Sequence, residues 1–123
     1  MTSPTFVILY VADTAASTAF YTDLLGRQPV DASPNFAMYA LDSGTMLGLW
    51  GRQGVKPESD VAAGGSEIAF PVENDAAVEA RHTDWQGRGL PILQAPTTME
   101  FGRTFTAADP DGHRLRVFAA AQG

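Results

Sequence analysis

Phe101–Phe118 reads FGRTFTAADPDGHRLRVF. β-branched and aromatic residues fill Phe101–Ala107 and Arg114–Phe118, the composition of strands. Between them, Asp109-Pro110-Asp111-Gly112 is turn chemistry: carboxylates that bond their own backbone, a proline with preset φ, and a glycine free to take positive φ. The stretch is a strand, a tight turn and a strand. Asp109 and Asp111 could be read as paired catalytic carboxylates, but Pro110 and Gly112 make them turn residues.

Outward from this hairpin, Ile92–Thr98 reads as a further strand. Before it, Asn74 or Asp75 caps a helix running towards Gln86, with Val78 and Trp85 on one face and Gly87 and Gly89 as stops. Glu67–Val72 is a strand in which Pro71 predicts an edge or an end of pairing. The order is strand, helix, three strands, and the first half of the chain repeats it. Phe6–Val11 is a strand. Asp13 caps a helix with Ala16, Ala19, Phe20 and Leu24 at helical spacing, and Gly26 stops it. Gln28–Ser33, Phe36–Leu41 and Thr45–Gly51 follow as strands, separated by the turn signals Ser33-Pro34-Asn35 and Asp42-Ser43-Gly44.

Arg52–Gly65, with its glycines, proline and scattered charge, reads as a linker. Val11-Ala12-Asp13 and Val72-Glu73-Asn74 are equivalent strand-to-helix exits, which maps Phe6 onto Glu67. Identity between the halves is negligible, so the repeat rests on element order. The expected fold class is α+β: two βαβββ modules, about 5–51 and about 66–119, in one domain over residues 1–123. Each module alone would expose an apolar sheet face, so the sheets must cover each other or those of another chain.

Composition narrows the function classes. The 123 residues are 45% hydrophobic and 18% charged, enough for an ordinary core. A net charge of −6 argues against nucleic acid and anionic membrane as partners. With no cysteine, neither a disulfide framework nor a thiolate metal site is available. The opening MTSPTFVILYVAD lacks a basic leader, and its apolar run of about seven residues falls well short of the ~20 that span a bilayer. Cytoplasmic location is the expectation. There is no Gly-x-Ser-x-Gly elbow, no Ser/His/Asp spacing that supports a triad, and no phosphate loop after Gly64. The two histidines, His82 on the second helix and His113 in the turn, read as solvated surface residues.

Side chains two apart on a strand share a face. Phe6 shares its face with Ile8 and Tyr10; Gly48 with Met46 and Trp50; Glu67 with Ala69 and Pro71; Arg116 with Arg114 and Phe118.

The element order, the opening Tyr10-Val11-Ala12-Asp13 with Phe20-Tyr21 and Leu25-Gly26, and the closing Asp109-Pro110-Asp111-Gly112 resemble the vicinal oxygen chelate superfamily of glyoxalases, extradiol dioxygenases and bleomycin-type resistance proteins. Within it, FGRTFTAADPDGHRLRV, Trp50 and Ser66-Glu67-Ile68 are similar to the phenazine antibiotic resistance proteins. The resemblance implies a cupped mixed sheet with the helices outside, and a homodimer that sequesters planar aromatic antibiotics without a metal or other cofactor.

Enzymes of that superfamily hold a metal with four His or Glu ligands. Carried over, those positions are Phe6, Gly48, Glu67 and Arg116. Phenylalanine and glycine offer no side-chain donor, and an always-cationic arginine opposes a divalent ion. No metal site is expected. Glu67 and Arg116 are expected to pair instead, as a structural ion pair, as a donor presented to a ligand, or both.

The resemblance implies an aromatic and apolar cup of the kind that holds a small molecule. Trp50 is the leading ligand contact, with ordinary strand packing as the competing role. Phe6, Ile8, Met46 and Gly48 share its surroundings, Gly48 leaving room at the centre. Phe36, Tyr39, Met99 and Phe101 are candidates for the rim. Arg116 and Arg103 are candidates to hold an acidic substituent, and Arg103 could equally be a solvated turn residue. The expected partner is thus a small, planar, anionic aromatic. The competing class is a metal-independent isomerase, lyase or hydrolase with Glu67 as general base; a tight Glu67–Arg116 pair would disfavour it. A third class, an interaction subunit, would have its cup filled.

Overall fold

The structure, a computed structural model, describes residues 4–121; the N-terminal leader reading begins in residues 1–3, outside that range. Two compact units divide at Gly64/Gly65, at the end of the segment read as a linker.

In the first unit, β1 (Phe6–Val11), α1 (Thr14–Leu25), β2 (Asp31–Ser33), β3 (Phe36–Ala40) and β4 (Met46–Gly51) follow in the expected order. The sheet order is β1-β4-β3-β2, with β1 parallel to β4 and the other pairs antiparallel. β2 is shorter than expected, because Pro29 has no N–H to give to a ladder. Asp13 accepts the Ala16 N–H at 3.1 Å, and Gly26 at φ 66° closes the helix by donating to Thr22 O at 3.0 Å. The helix buries Thr14, Ser17 and Tyr21 rather than the predicted stripe. Ala16 and Ala19 are exposed: their methyl groups carry too little area to orient a helix, whereas Tyr21 carries a whole ring. Leu9, Val11, Tyr21, Ala37, Tyr39, Leu47 and Leu49 form the core beneath α1.

The segment after β4 is not wholly open linker. Arg52–Gly54 makes a 3-10 turn, and Val55 is buried.

The second unit repeats the plan. β5 (Glu67–Pro71), α2 (Asp75–Gly87), β6 (Ile92–Met99), β7 (Gly102–Ala108) and β8 (Arg114–Ala120) form a sheet of order β5-β8-β7-β6, with β5 parallel to β8. Pro71 ends an edge strand, where its missing N–H costs nothing. Asn74 caps α2 by accepting the Ala77 N–H at 2.8 Å. Val78 and Trp85 are buried on one face as predicted, with Trp85 perpendicular to both Phe70 and Phe105. β6 slips register twice, between Ile92 and Gln94 and between Gln94 and Thr97. Pro96 falls in the second irregularity, where a strand tolerates a missing donor.

Each unit is thus a four-stranded mixed sheet with one helix, an α+β fold. No helix among the described residues is long and apolar enough to cross a membrane.

Candidate functional site

In both sheets the face that does not pack on the helix carries exposed side chains, Phe6 and Ile8 in the first and Glu67 and Arg114 in the second. In the first unit, register brings Tyr10, Trp50 and Phe36 into one row and Ile8, Gly48 and Met38 into the next. The indole of Trp50 lies 6.3 Å from Tyr10 and 6.3 Å from Phe36, at 86° and 85°. No ring among the described residues stacks parallel on it. Phe6 and Ile8 are 40% and 41% exposed, large apolar surfaces that ordinary packing would have covered. Met46, level with Phe6 and Ala40, is half-buried.

Two expectations for this unit are corrected. Gly48 does not leave an empty centre: a Cβ there would lie 2.8 Å from the Phe6 ring and 3.0 Å from the Phe36 ring. The glycine lets two rings fold over the sheet. Tyr39 is not at a rim. Alternation turns it to the helix side of β3, where it is fully buried. Its hydroxyl donates to Thr18 O at 2.9 Å and accepts from Thr22 Oγ1 at 2.9 Å. Burial pushes its pKa up, and the Thr22 hydrogen bond offsets part of that.

A groove of about 720 Å³ lies elsewhere in this unit, between α1 and the segment after it. Thr14, Thr18, Thr22, Pro29 and Pro34 line it, and no aromatic ring does, so it is not the stacking surface.

In the second unit, Glu67 and Arg116 form the expected fork. Arg116 Nε donates to Glu67 Oε2 at 3.0 Å and Nη2 to Oε1 at 3.4 Å. Arg116 Nη1 donates to Gln94 Oε1 and Thr104 Oγ1, each at 3.3 Å. Thr106 Oγ1 also donates to Gln94 Oε1, at 3.2 Å, while Thr104 Oγ1 gives its proton to Val117 O at 2.8 Å. The guanidinium carbon sits 5.9 Å from the centroid of Phe101, which is itself 6.2 Å from and nearly perpendicular to Phe118. Thr104, Thr106 and Gln94 were missed in the sequence. The threonines alternate with Phe105, so period two could have found them; Gln94 faces Arg116 only because β6 slips beside it.

Arg103 is displaced from the expected site. It lies on the opposite face of β7 and pairs with Glu79 of α2, with Nε–Oε1 at 3.0 Å and Nη2–Oε1 at 2.8 Å. Met99 is exposed at the end of β6.

The family metal does not suit these residues. In the first unit Phe6 and Gly48 offer no donor, and in the second both Glu67 oxygens already face a guanidinium. Asp109, Asp111 and His113 bring ligand-type atoms within 4.8 Å of one another, but their bonds are those of a turn. Asp109 Oδ1 accepts the backbone N–H groups of Asp111 and His113, both at 2.9 Å. His113 is not the solvated residue expected: it is buried, and its Nδ1 accepts the Ser66 N–H at 3.1 Å, tying the hairpin to the residue before β5. His82 is half-buried against Phe105, 5.2 Å between ring centroids.

The chain was compared with known proteins. It is 27% identical over 118 residues, 94% of this chain and 90% of the relative, to the phenazine antibiotic resistance protein EhpR of Enterobacter agglomerans. An Agrobacterium tumefaciens protein solved by NMR in solution superposes with a TM-score of 0.90 at 54% identity, covering 99% of this chain and 100% of that one. A glyoxalase/bleomycin resistance protein/dioxygenase from Nocardioides superposes at 0.85 with 24% identity, covering 100% and 86%, a likeness of fold. Residues 4–117 match the family profile of the glyoxalase/bleomycin resistance protein/dioxygenase superfamily. With that match spanning nearly the whole chain and two βαβββ units beneath it, this protein belongs to the glyoxalase/bleomycin resistance protein/dioxygenase superfamily.

Proposed function

We propose that this protein is a cytoplasmic, homodimeric binding protein that sequesters a planar aromatic compound of the phenazine type and so protects against it. The observation that carries the reading is the half-buried aromatic row of Trp50, with Tyr10 and Phe36 set perpendicular to the indole, beside the exposed side chains of Phe6 and Ile8. Such a surface gains area burial plus ~0.5–1.5 kcal/mol per aromatic pair when a flat ring lies on it. The relative EhpR, named for phenazine resistance, supports the ligand class.

Capture is stoichiometric. No bond forms or breaks; free compound falls in proportion to affinity and abundance. The general-base alternative needs a Glu67 carboxylate available to a substrate proton. Here both its oxygens are engaged by Arg116, which favours binding.

Equilibrium dialysis of purified protein against phenazines tests the reading. Saturable binding with compound recovered unchanged is expected, and Trp50→Ala should weaken it on the order of tenfold or more. Sedimentation equilibrium tests the dimer. Absence of saturable binding, or conversion of the compound, would overturn the proposal.

A further inference from the structure

The side-chain amide of Gln94 bridges a guanidinium and a thioether in the second unit. Its Oε1 accepts from Arg116 Nη1 at 3.3 Å and from Thr106 Oγ1 at 3.2 Å. Its Nε2 donates to Met99 Sδ at 3.6 Å. Inventory fixes that orientation. A guanidinium has donors only, so the amide atom facing Arg116 is the oxygen, and the nitrogen is left for sulfur. A thioether is a weak acceptor, which makes the contact to Met99 the weakest link of the set.

Met99 stands at the end of β6 and is 42% exposed, whereas Met38 and Met46 are half-buried. The chain has no cysteine, so no thiol of its own competes for a peroxide. The sulfur lone pair takes one oxygen atom from hydrogen peroxide and the O–O bond breaks. The departing hydroxide collects the proton of the transferred oxygen and leaves as water. Sulfur is oxidised to the sulfoxide as the peroxide is reduced, a change that methionine sulfoxide reductases reverse.

A sulfoxide is polar and disrupts a packed core. Met99 has solvent on one side and an N–H donor on the other, so its oxidation breaks no core. Its flexible side chain allows the new oxygen to reach Gln94 Nε2. An amide whose N–H meets a stronger acceptor becomes a stronger acceptor at its own oxygen, and that oxygen faces Arg116.

We infer that Met99 is a site of reversible oxidation by peroxides, and that Gln94 holds the sulfoxide and relays the change to Arg116. All three residues lie in the second unit, and the inference is independent of the binding function proposed above.

The test exposes the full chain to hydrogen peroxide and follows it by peptide mass mapping and by NMR of the side-chain amide and guanidinium hydrogens. Met99 should gain one oxygen at least about fivefold faster than Met38 and Met46. The Gln94 Nε2 hydrogens should shift as it does, while the melting temperature moves by less than about 2 °C. A methionine sulfoxide reductase should restore both the mass and the resonances, a readout that needs no variant. The Arg116 Nη1 hydrogens should exchange with water at least about threefold more slowly after oxidation. That slowing should vanish in Gln94→Ala, and Met99→Leu should abolish the Gln94 shift. Oxidation of Met99 no faster than that of Met38 and Met46 overturns the inference. So do Gln94 resonances that ignore it, or an Arg116 exchange rate that stays the same.

Discussion

The ring of Phe6 rests over Gly48, so close that an added Cβ would stand 2.8 Å from it. Phe36 comes in from β3 at 3.0 Å, and its ring centroid lies 6.4 Å from that of Phe6. One residue without a side chain therefore lets two aromatics lie across the open face next to Trp50.

Gly48→Ala tests that arrangement. The added methyl meets the ends of side chains rather than backbone, so both rings can shift, and alanine stiffens the strand. The two effects oppose, and stability should change by less than about 1 kcal/mol. The perpendicular contact between Phe36 and Trp50 should be disturbed all the same. A displaced tryptophan emission with a nearly unchanged melting temperature is the expected result.

Tyr39 should make the first unit sensitive to alkali. Burial raises its folded pKa above the unfolded value, so the folded chain retains a proton that the unfolded chain releases. The stability this contributes is fully present below about pH 10, the unfolded value, and is lost as pH rises through the higher folded pKa. Tyr39→Phe removes the hydroxyl bonded to Thr18 and Thr22, costing about 1 kcal/mol at neutral pH. Melting temperature followed above pH 10 should fall less steeply in the variant than in wild type.

Trp85 anchors the second core, 3% exposed and edge-on to Phe70 and Phe105. Trp85→Ala should cost about 3–5 kcal/mol, read as a large drop in urea midpoint. A small drop would mean that α2 can repack without it.

Arg103 offers the contrast to Arg116. Its partner Glu79 is about half exposed, and their contact ties β7 to α2 on the face away from Glu67. Arg103→Ala should change stability by less than about 1 kcal/mol and leave phenazine affinity within about twofold. A tenfold loss of affinity would return Arg103 to the binding surface.

Much of the fold was legible because period and punctuation are local. Asp13 and Asn74 cap their helices as read, Asp109–Gly112 turns where predicted, and the strand–helix–three-strand order recurs. The errors have local causes too. Ala16 and Ala19 suggested a buried stripe although a methyl group commits a helix to little. Pro29 shortened β2 by withholding a donor. The candidate site was legible where alternation decides a face, as with Phe6, Ile8, Met46 and Trp50. It was misread for Tyr39 and Arg103, which alternation within the observed strands turns towards the helices.

Sequence alone determined the two modules, their caps and turns, and the unsuitability of Phe6 and Gly48 as metal donors. These follow from residue type and short spacing, which act within a few residues of chain. Only the tertiary structure decided that Gly48 is roofed by two rings, that His113 is buried against the Ser66 N–H, and that Gln94 reaches Arg116 across an irregular β6. Each of these depends on strand register, which joins residues far apart in sequence and moves a side chain to the other face with a slip of one.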